Sequence, residues 1–336
     1  MPLEIEPRTT SSAVRAAGGG PAGAPIVIAL VNNMPDAALH STESQFSGLL
    51  HEASADRAIQ LRLTSLPELP RSAEALEYIH GAYWPLDEAL ARPLDALIVT
   101  GTEPRAPLLT EEPYWRRFVE LLSFARGHTL GSVWSCLAAH AAVLSLDGIE
   151  RQRLAAKRCG VYEHHILSEH PLLAGVEAPM PMPHSRWNEL SPQSLRAAGY
   201  TLLSWSQETG ADAFAREEQS LLLFFQGHPE YEATTLLREY RRDVGRYLSG
   251  QQSHYPTLPH GYLPPAAAVL LSEFRERALA GRDVALLENF PFAAVAQLLH
   301  NRWRGAAVAL YRNWLDSVLE ARAPRRVPET VSLTRP

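Results

Sequence analysis

From residue 25 onward, strand-like apolar runs alternate with amphipathic stretches along the chain. PIVIALV (25–31) is a continuous apolar run of strand length and predicts a buried strand, and the polar loop NNMPDAALHST follows it. Residues 43–51 predict a helix, and AIQLRLTSL (58–66) alternates as a second strand. LDALIVTG (94–101) predicts a third strand ending in glycine. Residues 113–126 then place Trp115, Phe118, Leu121 and Leu122 on one helical face. TLGSVWSC (129–136) predicts a fourth strand, with the strong helix formers LAAHAAVLSL (137–146) directly after it. Strands alternating with helices in this way predict a parallel sheet covered on both faces.

Between residues 153 and 226 the pattern changes. YTLLSWSQ, ADAFAREE and SLLLFFQG are short runs suited to antiparallel strands or hairpins. A charged helix is predicted over 234–248. Past Pro264 the chain reads as helical to about Arg322, with a turn near Gly281 and a break at Pro291. Residues 1–23, rich in Gly, Pro and small residues and without periodicity, predict a disordered segment. The expected organisation is therefore that segment, a main α/β domain over 24–264, and a helical C-terminal extension over 265–336 packed on the same domain.

Composition narrows the function classes. A formal net charge of −6 argues against a nucleic-acid partner, because phosphate backbones call for a basic face. No apolar run reaches bilayer-spanning length, so no membrane association is expected. The N-terminus shows no basic region followed by an apolar stretch, and no signal peptide is expected. Two cysteines, Cys136 and Cys159, supply neither a disulfide framework nor a zinc cluster, which makes a reduced, cytoplasmic setting the expectation.

Cys136 falls where a predicted strand becomes a predicted helix. Unpaired N–H groups and the positive end of the helix dipole meet there, stabilising a thiolate and offering donors to a developing oxyanion. A buried structural cysteine is the competing reading. A nucleophilic thiol needs a base, and the base needs an orienting group. GHPEY (227–231), at the end of another predicted strand, offers His228 and Glu230. In extended chain, residues two apart point the same way, which would set Glu230 beside the His228 ring. A surface histidine followed by a helix-capping glutamate is the alternative.

Several stretches then carry a resemblance: NNMPDAALHSTESQF, WSCLAAHAAV, KRCGVYEHHIL, PHSRWNEL, GHPEYEATTLLREYRRDV and WRGAAVALYRNWL. In this order they resemble the homoserine O-acyltransferase family of methionine biosynthesis, which is built on the class I glutamine amidotransferase-like (flavodoxin-like) fold. The resemblance implies Cys136 as acyl-thioester nucleophile, His228 as general base and Glu230 as its partner. It also implies Lys157, Ser185 and Arg242 at substrate-binding positions. The N–H of Leu137, next to the nucleophile, is the expected oxyanion donor. The implied substrates are an acyl-CoA, acting as co-substrate with no other cofactor and no metal, and L-homoserine; a homodimer is expected.

Bland readings stand beside these. Lys157 can belong to a solvated basic face, Arg242 can pair with Glu239 on a helix surface, and Ser185 can cap a turn at PHSR. Cys159 has no acid or base placed for it and reads as structural. His164 and His165 have no second ligand pair at a recognisable spacing. The resemblance implies that the loop after the third strand helps select the acyl group, and Arg105 there can grip a succinyl carboxylate bidentately, which favours succinyl-CoA over acetyl-CoA. Acetyl-CoA as donor, and a glutaminase-type hydrolase on the same fold, stay open as alternatives. The second usually flanks its nucleophile with glycines, whereas Ser135 and Leu137 flank Cys136 here.

Overall fold

The computed structural model describes residues 3–8 and 24–322. Its strands are β1 (Leu3–Ile5), β2 (Ile26–Val31), β3 (Ile59–Thr64), β4 (Ala96–Val99), β5 (Gly131–Ser135), β6 (Gln152–Ile166), β7 (Met180–Glu189), β8 (Thr201–Leu202), β9 (Ser204–Ser206), β10 (Gly210–Ala211), β11 (Ala213–Glu217) and β12 (Leu221–Phe225). Its α-helices are α1 (Leu39–Ser54), α2 (Ala73–Ala82), α3 (Leu86–Leu90), α4 (Trp115–His128), α5 (Leu137–Asp147), α6 (Pro192–Ala197), α7 (Thr235–Leu248), α8 (Pro265–Ala280), α9 (Phe292–Ala296) and α10 (Arg304–Arg322).

Eight strands form the main sheet in the order β1-β3-β2-β4-β5-β12-β11-β8. From β1 to β12 every neighbouring pair is parallel. Without the edge strand β1, the parallel core has the 2-1-3-4-5 order of flavodoxin-like sheets. β2, β4 and β12 are continuous apolar runs because both faces are covered. Along β2, Ile26, Ile28 and Leu30 turn to one face, where α1 and α10 pack, while Ala29 and Val31 turn to the other, under α4 and α5. A second, four-stranded antiparallel sheet, β10-β9-β6-β7, projects from the same side as the strand C-termini that carry the site.

Three expectations are corrected or extended, and one stretch without a predicted element is filled. Leu3–Ile5 lies inside the segment expected to be disordered, yet it pairs in parallel with β3; three residues are too short to show periodicity. Residues 1–2 and 9–23 of that segment lie outside the described residues. SLLLFFQG was expected as an antiparallel strand or hairpin; β12 does pair antiparallel with β11, and it also pairs parallel with β5 and completes the parallel core. PHSR is no turn, since it lies inside β7. The polar stretch after β3 holds two helices, α2 and α3, whose short lengths carry little apolar pattern.

The extension divides in two. α10 sits in the main core, burying Leu310, Tyr311, Trp314 and Leu315 against the sheet. α8 and α9 instead pack with α7, around Tyr240, Phe274 and Phe290. The C-terminal residues 323–336 of the expected extension lie outside the described residues.

Candidate active site

Cys136 follows β5 and caps α5 with φ 52° and ψ −113°. A non-glycine residue there is strained, and such strain is characteristic of a side chain displayed at a sharp strand-to-helix turn. The turn is locked: Cys136 donates its N–H to Phe225 O at 2.8 Å, and the Cys136 carbonyl accepts the His140 N–H at 3.2 Å. Leu137, the first residue of α5, has no intrahelical acceptor for its N–H. Gly101, after β4, comes so close that a Cβ there would lie 2.9 Å from Leu137 N. Only glycine fits against the expected oxyanion donor.

The parallel pairing of β12 with β5 sets Phe225 opposite Ser135, so GHPEY leaves the sheet beside the nucleophile. His228 Nδ1 lies 2.8 Å from Glu230 Oε1, and both side chains are buried. The expected pairing is present, but its cause differs. Pro229 and Glu230 form a turn, closed by the Tyr231 N–H to His228 O at 3.2 Å, and it is this turn that brings the carboxylate back. With Nδ1–H given to Glu230, Nε2 is left for the thiol. Burial pushes the imidazole pKa down, but the charges of Glu230 and Cys136, with hydrogen bonds to both, outweigh it and hold it well above 6.5. Tyr231 stacks on the His228 ring at 4.2 Å and 16°.

Lys157, Ser185 and Arg242 also come together, and they meet at Glu239, which the sequence suggests only as a surface partner of Arg242. Glu239 on α7 accepts hydrogen bonds from Ser185 Oγ and from Tyr231 OH (2.6 Å). Its Oε2 also faces Lys157 Nζ at 3.4 Å and Arg242 Nη2 at 3.5 Å. Asp243 adds contacts of 2.7 Å to Lys157 and 3.2 Å to Arg242. Burial raises the Glu239 pKa, and Lys157, Arg242 and the two hydroxyl donors reverse this to a net lowering. Lys157 is therefore no solvated basic face: burial opposes its charge, and Glu239 and Asp243 restore it to a net raised pKa. The signal for Glu239 was its spacing, three residues before Arg242 on one helix.

Arg105 lies at the surface. It is exposed on the loop after β4, with its backbone N–H bonded to Glu112 Oε1 at 2.6 Å. Among the described residues its guanidinium has no hydrogen-bond or ion-pair partner. Cys159 faces the same region, but burial pushes its thiol up to about 12, which makes it inert as a nucleophile. His164 has partners that spacing did not reveal: His184 on β7 and Asp212 lie beside it.

A flavodoxin-like parallel core with a strained cysteine at one strand end and a His–Glu pair at the next defines an α/β enzyme of the class I glutamine amidotransferase-like fold. More narrowly, the chain belongs to the homoserine O-succinyltransferase family, whose model matches residues 13–325. It is 42% identical over 314 residues to a homoserine O-succinyltransferase of Rhodopseudomonas palustris, covering 94% of each chain. It is 43% identical over 291 residues to one of Methylorubrum extorquens, covering 87% of this chain and 86% of that one. Among solved structures, a glutamine amidotransferase from Thermotoga maritima is similar with a TM-score of 0.49 at 12% identity, over 88% of this chain and 98% of that chain. Among the described residues no helix is long and apolar enough to cross a membrane.

Proposed function

We propose that the chain transfers the succinyl group of succinyl-CoA to the hydroxyl of L-homoserine through a thioester on Cys136, giving O-succinyl-L-homoserine. The observation that carries the proposal is the strained Cys136 turn facing the buried His228–Glu230 pair, in a chain 42% identical to a protein named for this reaction. The Cys136 thiolate attacks the thioester carbonyl, and the Leu137 N–H stabilises the oxyanion. The carbon–sulfur bond to coenzyme A breaks, and the His228 imidazolium protonates the departing thiolate.

Acylation removes the Cys136 charge, one of the interactions that hold the His228 proton. The neutral imidazole then takes the homoserine hydroxyl proton as the oxygen attacks the thioester, and Cys136 leaves as thiolate, which restores the imidazolium–thiolate pair. Homoserine brings both a carboxylate and an ammonium. Arg242, half exposed at the pocket edge, suits the first, and Glu239, ringed by Ser185, Tyr231 and Lys157, suits the second. For the succinyl carboxylate, Arg151 is better supported than Arg105. It is half-buried just ahead of β6, and the Cys136 charge acts on it.

The test is incubation of the purified protein with succinyl-CoA or acetyl-CoA and with homoserine or serine, read by mass spectrometry. O-Succinylhomoserine and a succinyl adduct on Cys136 are expected. A clear preference for acetyl-CoA would overturn the donor, and ammonia release from glutamine would favour a hydrolase.

A further inference from the structure

The mechanism leaves unused a fully buried polar cluster next to the catalytic base. His164 on β6, His184 on β7 and Asp212, between β10 and β11, place one ligand atom each within 4.8 Å of one another. Two histidines and a carboxylate at that spacing suggest a cation, but their hydrogen bonds point elsewhere. Arg186 Nε is a permanent donor and lies 3.3 Å from His184 Nδ1, so that nitrogen accepts and Nε2 carries the proton. The His184 Nε2 lies 3.3 Å from His164 Nε2 and 3.7 Å from Asp212 Oδ1. His164 Nδ1 donates to Tyr162 O at 3.0 Å, leaving its Nε2 to accept from Thr209 Oγ1 at 2.8 Å. A metal at this point would need a lone pair that His184 does not have and would sit beside a guanidinium.

What the cluster does hold is the backbone that carries His228. Asp212 Oδ1 accepts the Gly227 N–H at 2.6 Å, and Pro183 O accepts the His228 N–H at 2.8 Å. Asp212 is itself pinned, through its N–H to Ser204 O and its carbonyl from Gln226 N, each at 3.1 Å. Gly227 is gripped so closely that a Cβ would lie 2.7 Å from Met182 Cγ, 2.8 Å from Asp212 Oδ1 and 2.9 Å from Pro183 O. Two consecutive peptide N–H groups of the catalytic loop are thus tied to two different segments, the Asp212 side chain between β10 and β11 and the Pro183 carbonyl on β7. Glu230 fixes the direction of the ring, and this clamp fixes the place of its Cα.

We propose that Asp212 is a positioning residue for His228: its carboxyl oxygen, buttressed by His184, Arg186 and His164, holds the Gly227–His228 peptide where the imidazole meets Cys136. This rests on His228 being the base of the reaction proposed above.

The test compares Asp212→Ala, Asp212→Ser and Asp212→Asn in the full chain. Two properties are measured at a temperature well below each variant's melting point: acyl-transfer kinetics, and the pH dependence of Cys136 alkylation by iodoacetamide, followed by peptide mass. Asp212→Ala and Asp212→Ser, which cannot reach Gly227, are expected to lose kcat by on the order of 10- to 100-fold, the effect of a small misplacement of a reacting group. KM for both substrates should change little. Their alkylation profile should shift toward that of Cys136 in His228→Ala. Asp212→Asn keeps an acceptor at Oδ1 and should recover most of the turnover and the wild-type profile.

Wild-type kcat and alkylation in Asp212→Ser overturn the proposal, and so does an Asp212→Asn as impaired as Asp212→Ser. Stoichiometric metal in the purified protein, whose removal reproduces the loss, overturns it in favour of a cation site. Alkylation needs no substrate, so a wild-type protein that transfers no acyl group refutes the proposed reaction while leaving the Asp212 comparison readable.

Discussion

In the proposed reaction, the chemistry at Cys136 and His228 turns on where one proton sits. The raised His228 pKa means that the imidazolium persists above the ordinary histidine range, paired with the Cys136 and Glu230 charges. Acylation needs that proton for the departing coenzyme A thiolate, so kcat/KM for succinyl-CoA should fall on the alkaline side only above that range. Glu230→Gln removes the largest interaction raising the pKa and should move the alkaline limb to lower pH as well as slowing turnover; a limb that stays in place would break the assignment. Arg151 and Arg105 give a second comparison at this scale. Losing a charge-assisted pair to the succinyl carboxylate should raise KM for succinyl-CoA about tenfold in Arg151→Ala, on the usual strength of such pairs. Acetyl-CoA, lacking that carboxylate, should be used unchanged. Arg105→Ala should do neither, and the reverse result would restore the exposed arginine to the role its sequence position suggested.

At the scale of elements, the site depends on what holds α7 in place, because Glu239, Arg242 and Asp243 all lie on it. Its apolar face is covered by α8 and the segment around Phe290, where Phe274 and Phe290 meet edge to face at 5.1 Å. Phe274→Ala empties a fully buried position and should cost about 3–5 kcal/mol by chemical denaturation. Because it loosens the helix bearing Glu239, KM for homoserine should rise while acylation of Cys136 stays near wild type. These elements also show what the pattern of residues conveys. β2 and β4 were legible because burial on two faces writes a continuous apolar run, and α5 because its helix formers follow their strand without a loop. Cys136, His228 and Glu230 were legible because short motifs at strand ends need little tertiary information. Apart from the Glu239–Arg242 spacing, the Glu239 hub and the His164–His184–Asp212 cluster were not, since Lys157 and Ser185 lie 82 and 54 residues from Glu239 and His164 lies 20 from His184, so that they meet only in the folded chain. The strand character of PHSR was hidden for a related reason: Pro183 suggests a turn, but within β7 it contributes a carbonyl to His228 rather than a needed N–H.

For the whole molecule, the buried histidines decide how stability answers to acid. Burial, aided by the Arg186 charge, pushes His140 down to about 3. Burial, then Arg186 and His164, push His184 well below 6.5, and burial lowers His164 against the opposing pull of Asp212. Each is neutral in the folded chain, whereas the unfolded chain protonates it near pH 6.5. Between the folded and unfolded values the unfolded state binds the extra protons, so stability present above pH 6.5 is lost as the pH falls. Each such group contributes a slope of up to about 1.4 kcal/mol per pH unit. His228 runs the other way: its contribution is complete below 6.5 and is lost only as the pH rises through its raised folded value. The unfolding free energy, followed in urea, should therefore decline as the pH falls below 6.5, with His140, held at about 3 in the folded chain, contributing close to one proton of the slope. His140→Gln, which can still donate to Gln226 Oε1, where the wild-type contact is 2.9 Å, should flatten that slope by about one proton. An unchanged slope would mean that His140 is protonated in the folded chain, and that the core around the site tolerates a charge its packing is built to refuse.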